Sequence, residues 1–90
     1  MRIARHYLIE GRVQGVGFRY FTQACATREG IDGWVRNTLD GRVEIDAQGE
    51  TGAIMRFERS VRAGPPGARV EQVEVTEMAT QATRSGFHIR

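Results

Sequence analysis

From Val43 to Gln48 apolar and polar residues alternate without a break, with Val43, Ile45 and Ala47 on one side and Glu44, Asp46 and Gln48 on the other. Successive side chains of a strand leave opposite faces, so the segment belongs to a sheet with one face against a core and one face toward water. A second strand-like run, Gly33 to Asn37, lies just upstream. Leu39-Asp40-Gly41 joins the two, and Asp-Gly is a strong hairpin signal.

The remaining elements follow from the same kind of reading. Ile3 to Ile9 is short, β-branched and aromatic toward its end, and Glu10-Gly11 is expected to stop it, which describes a central strand. Arg19 to Glu29 carries a helical period and ends at Gly30. Thr51 is placed to cap a second helix that reaches about Ala63, with Ile54, Phe57 and Val61 on its buried stripe, and Gly64-Pro65-Pro66-Gly67 must end it. Val70 to Met78 alternates at Val73 and Val75. Val70 falls out of phase, so a bulge or an earlier strand start is expected there. Phe87-His88-Ile89-Arg90 forms a short edge strand.

Strand, helix, strand, strand, helix, strand in 90 residues is the plan of an α+β, ferredoxin-like βαββαβ sandwich: an antiparallel sheet with both helices on one face. A chain of this length forms one domain, residues 1–90, around one core. With 40 % apolar and 27 % charged residues it has the balance of a folded protein. Its 13 basic residues are all Arg, but they are interleaved with 11 acidic ones, so no basic stripe points to nucleic acid or to a membrane surface. With one Cys and no apolar run of membrane length or signal-peptide type, a complete cytoplasmic chain is expected.

The segment Gly11-Arg12-Val13-Gln14-Gly15-Val16-Gly17-Phe18-Arg19 falls between the first strand and the first helix. Helix N-terminal amides carry partial positive charge and need acceptors. Residues 15 to 18 contain no Ser, Thr, Asp or Asn to supply one, so a bound anion can serve as the cap. Gly15 and Gly17 permit the positive φ values and close approach of such a cradle, and Arg19 adds a charged bidentate donor. A tight turn of purely structural purpose accounts for the same residues equally well. The dinucleotide fingerprint and the nucleotide P-loop do not fit, and Cys25 on an apolar helix face reads as core.

These residues carry a resemblance. Gly11 to Arg19, together with Gly33-Trp34-Val35-Arg36-Asn37-Thr38-Leu39-Asp40-Gly41-Arg42-Val43-Glu44, resembles the two signature blocks of the acylphosphatases, and Ser85 to Arg90 resembles their C-terminal ending. The resemblance implies hydrolysis of a carboxyl-phosphate anhydride to carboxylate and inorganic phosphate. It implies that Val13, Gln14, Gly15, Val16, Gly17 and Phe18 hold the phosphoryl oxygens, that Arg19 neutralises them, and that Asn37 orients the attacking water. Without the resemblance, Asn37 reads as a turn-forming residue. Thr38 is expected to steady Asn37, with a surface hydroxyl on a hairpin as the plainer alternative.

No general acid is needed, because the leaving carboxylate belongs to an acid of pKa near 4. His6 and His88 have no companion at ligand spacing and read as structural, so no metal or other cofactor is expected. Trp34, Tyr20 and Tyr7 evoke base stacking on a sheet, but the strand around Val43 lacks the aromatic motif that would support it. The expected protein is a metal-free cytoplasmic monomer that takes a small acyl phosphate and is inhibited by inorganic phosphate. A catalytically idle anion- or partner-binding module, and a relative of the acylphosphatase-like domain of a hydrogenase-maturation carbamoyltransferase, are the alternatives.

Overall fold

Seven elements follow one another in the computed structural model, which describes residues 1–82 and 85–90: β1 (Arg2–Arg12), α1 (Phe18–Glu29), β2 (Asp32–Asn37), β3 (Val43–Glu50), α2 (Thr51–Ala63), β4 (Arg69–Met78) and β5 (Phe87–Ile89). They build one five-stranded sheet in the order β4-β1-β3-β2-β5 with both helices packed on one face. The expected βαββαβ core is present. The sheet is mixed, however, not antiparallel throughout, because β5 joins β2 in parallel.

The alternation of β3 decides which face is buried. Val43, Ile45 and Ala47 are fully buried beneath the helices, as are Tyr7 and Ile9 of β1 and Val35 of β2. Ile54, Phe57 and Val61 of α2 close the core from above as the helical period predicts. The ring of Phe57 meets Tyr7 edge-on at 6.1 Å and Phe87 of β5 at 6.1 Å, so one side chain ties α2 to both a central and an edge strand. Cys25 is buried on the inner face of α1, as expected.

Several boundaries differ from the sequence reading. Glu10-Gly11 does not stop β1, which continues to Arg12 by pairing with the start of β4. Gly11 has φ 130°, and a Cβ there would stand 2.1 Å from the Arg69 carbonyl oxygen, so the glycine permits this pairing instead of ending it. Opposite it the register shifts by one residue between Gln72 and Val70, and β4 begins at Arg69, which accounts for the out-of-phase Val70. Thr51 is the first residue of α2, not its cap. The cap position is held by extended Glu50, and the Thr51 hydroxyl donates to the Met1 carbonyl at 2.9 Å.

Gln48 also departs from expectation, being buried on the face opposite the helices. β4 and β5 lie on opposite edges, so the chain after β4 crosses the sheet. It does so over Gln48, whose amide donates to the Gln81 carbonyl (2.7 Å) and accepts from the Gln81 N–H (2.6 Å). The polar stretch before Phe87 includes Thr83 and Arg84, which lie outside the described residues.

Candidate active site

β1 and β2 are each antiparallel to β3, so they run in the same direction and end on the same side of the sheet. The turn from β1 into α1 and the turn out of β2 therefore meet. Between them is a cavity of about 130 Å³ lined by Val13, Gly15, Gly17, Phe18, Arg19, Tyr20 and Asn37. Arg19 and Asn37, far apart in sequence, share its wall.

The turn before α1 has the backbone its glycines foreshadow. Gly15 has φ 74°, and Gly17, the residue before α1, has φ 76° and ψ 22°. A Cβ at either position would meet nothing within 4 Å, so what these positions require is the left-handed conformation, not space. No side chain caps α1 and no acid occupies its first turn. Val13 and Phe18 are buried in the core and pin the loop at both ends, and Val16 packs partly against it. Arg19 is half-buried, and its guanidinium has no acceptor among the described residues. Asn37 is likewise half-buried, and its side-chain amide has no partner among the described residues.

Gln14 and Thr38 sit beside this cavity without lining it. The Gln14 amide reaches across to the β2–β3 turn and donates to the carbonyls of Thr38 (2.8 Å) and Arg42 (2.9 Å). It ties the turn before α1 to the turn that follows Asn37. Sequence reasoning placed Gln14 only within a phosphate loop, since backbone carbonyls leave no mark in a sequence. Thr38 builds the turn itself: its hydroxyl accepts from the Arg42 N–H (3.0 Å) and donates to Asp40, and its N–H donates to the Arg42 carbonyl (2.9 Å). Among the described residues no hydrogen bond joins its side chain to Asn37. Arg42 and Thr38 hold the Asp40 carboxyl well below the usual carboxylate range, at about 2.

The other singled-out residues lie elsewhere. His6 meets Glu44 (2.6 Å) on the open face of the sheet, and His88 bonds the Ser85 carbonyl (3.1 Å). Among the described residues no three His, Cys, Asp or Glu side chains group as metal ligands. Tyr7 is fully buried and donates to Glu58 (3.0 Å), which rules it out as a stacking platform. Trp34 is covered by the Arg90 guanidinium, 4.5 Å from the ring centroid. Tyr20 alone of the three stands exposed.

A model of the acylphosphatase family matches residues 5–89, nearly the whole chain. The chain belongs to the acylphosphatase family. Curated relatives agree: the acylphosphatase of Bacillus subtilis is 49 % identical over 82 residues, covering 91 % of this chain and 90 % of the relative. That of Pseudomonas paraeruginosa is 47 % identical over 89 residues, covering 99 % and 97 %. The crystal structure of the Bacillus subtilis acylphosphatase superposes with a TM-score of 0.94 at 41 % identity, over 98 % of both chains. The acylphosphatase of Coxiella burnetii gives 0.93 at 35 % identity, over 99 % of this chain and 93 % of that one. Full-length HypF contains a similar unit, with a TM-score of 0.87 at 29 % identity, in 12 % of its length. The chain is thus an enzyme of the acylphosphatase type, and the two-helix, mixed-sheet fold is that of the acylphosphatases.

Proposed function

We propose that this chain hydrolyses acyl phosphates by direct attack of water on a phosphoryl group held between the 13–18 turn, Arg19 and Asn37. One observation supports the reading: the uncapped start of α1, Arg19 and Asn37 line one cavity, and the Arg19 guanidinium and Asn37 amide have no partner among the described residues. Phosphoryl transfer through a loose transition state asks for positioning and for stabilised charge on the equatorial oxygens. Fixed amides and a guanidinium supply both, because they are already oriented when the charge develops.

The water oxygen attacks phosphorus while the bond from phosphorus to the carboxylate oxygen breaks. The leaving carboxylate takes the electron pair, and the water's proton passes to solvent. No protein acid is called for, since a carboxylate leaves unprotonated at neutral pH. The Asn37 side-chain oxygen accepts a hydrogen bond from the attacking water and so aims its lone pair at phosphorus without itself titrating. The protein acts as a monomeric domain over residues 1–90, without a metal, and releases inorganic phosphate that competes for the same cradle.

The test is phosphate release from benzoyl phosphate by the wild type, Arg19→Ala and Asn37→Ala. Removing one preorganised charged donor lowers turnover by at least about 10²-fold in Arg19→Ala, and near-normal turnover in the folded variant sinks the assignment. Asn37→Ala lowers kcat much more than it raises KM. An effect confined to KM makes Asn37 a substrate ligand instead of the residue that holds water.

A further inference from the structure

One wall of the cavity has no task in the chemistry above. Tyr20 follows Arg19 in the first turn of α1 and lines the cavity with it, yet the residue is 70 % exposed. Successive residues of a helix diverge by about 100°, so Arg19 is drawn half-buried into the cavity while Tyr20 stands at its mouth. Met1, Leu39, Met55 and Met78, the other large apolar residues exposed among those described, do not line this cavity. The Tyr20 hydroxyl has no hydrogen-bond partner among the described residues.

An acyl phosphate has two unlike ends. When its dianionic end faces the amides of the 15–18 turn, its acyl end must leave through the mouth, since a cavity of about 130 Å³ is too small to enclose an aryl acid as well. There it meets an aromatic face. We infer that Tyr20 selects the acyl group, and that the preferred substrate class is acyl phosphates of aromatic or bulky apolar acids. The inference rests on the hydrolase reading above. A single open wall gives modest selectivity, of the size of one aromatic pair, about 3- to 10-fold.

The experiment is the ratio of kcat/KM for benzoyl phosphate to kcat/KM for acetyl phosphate in the wild type, Tyr20→Ala, Tyr20→Phe and Leu39→Ala. The differing intrinsic reactivity of the two substrates cancels on comparing variants. Inhibition by inorganic phosphate, measured in each, reports the cradle alone. Tyr20→Ala is expected to lower the ratio about 3- to 10-fold, chiefly through KM for benzoyl phosphate, with phosphate inhibition as in the wild type. Tyr20→Phe and Leu39→Ala keep the ratio. An unchanged ratio in Tyr20→Ala overturns the inference, as does an equal fall in Leu39→Ala, which puts the acyl group on the hairpin. Loss of phosphate inhibition in Tyr20→Ala also overturns it, by making the ring a support of the cradle. If the wild type releases phosphate from neither substrate, the hydrolase reading itself fails.

Discussion

Arg5, Arg36, Arg42, Arg56 and Arg62 each face a carboxylate, and Arg90 lies on Trp34, while Arg19 faces the cavity. Composition alone offers thirteen equivalent candidates, and it is position at the head of an uncapped helix that distinguishes Arg19. Gly15 and Gly17 were legible for the same local reason. Gln14 was not, since its acceptors are two main-chain carbonyls of a distant turn. Gln14→Ala is expected to destabilise the fold by about 1 kcal/mol per lost hydrogen bond. It should also lower kcat about tenfold, since small misplacements of reacting groups are costly; full kcat in a variant that melts lower removes the clamp from the mechanism. The glycines divide by cause. Gly17→Ala has room for its Cβ and suffers only the left-handed strain of about 1–2 kcal/mol. At Gly33 a Cβ would stand 1.8 Å from the Asp46 carbonyl oxygen, so Gly33→Ala must part β2 from β3. Denaturant unfolding should find the first variant folded and the second not.

At the scale of elements, α2 is held by its apolar stripe and by one polar cluster. Phe57→Ala removes the ring that bridges Tyr7 and Phe87 and is expected to cost about 3–5 kcal/mol, measured as a shift in the denaturant midpoint at constant slope. Beside it, Glu58 accepts from Arg5 (2.9 Å), Tyr7 (3.0 Å) and Arg62 (3.2 Å), joining α2 to β1. Burial disfavours the Glu58 charge, but these donors outweigh it and hold its carboxyl below the ordinary value. Burial pushes the Tyr7 hydroxyl up, with the Glu58 charge adding to it, so Tyr7 remains a donor. A carboxyl with a depressed folded pKa is protonated more readily in the unfolded chain. It therefore stabilises the fold above the ordinary carboxylate range, and that contribution is lost as pH falls through the folded value. Tm should fall steeply below about pH 4 in the wild type and less steeply in Glu58→Gln; parallel acid limbs would place the loss in other carboxyls. The stripe of α2 was readable from its period. Tyr7 paired with Glu58 was not, because a tyrosine in an apolar strand looks the same with or without a partner.

For the molecule as a whole, the strand order β4-β1-β3-β2-β5 sets the site where two turns meet and keeps the titratable pairs of the open face away from it. His6 and Glu44 lie on that face, and neither lines the cavity. Turnover should accordingly vary little between pH 5 and 8 and should be insensitive to a chelator. A bell-shaped profile in that window would implicate a His or carboxylate that the proposed mechanism omits. The crossing of the chain over Gln48 on its way to β5 is likewise a property of the whole fold: it covers one end of a face that alternation alone assigns to water.

The amino-acid sequence by itself determined the order of the elements, the helix-bearing face of the sheet, and the glycine turn that leaves the first turn of α1 without a cap. These rest on periods, caps and backbone conformations that act within a few residues. The parallel addition of β5, the continuation of β1 through Gly11, the burial of Gln48 and the clamp from Gln14 were decided only by the tertiary structure. So was the meeting of Arg19 with Asn37. Each depends on which strands pair across long stretches of chain, a choice made by summed packing and ladder hydrogen bonds that no short segment encodes.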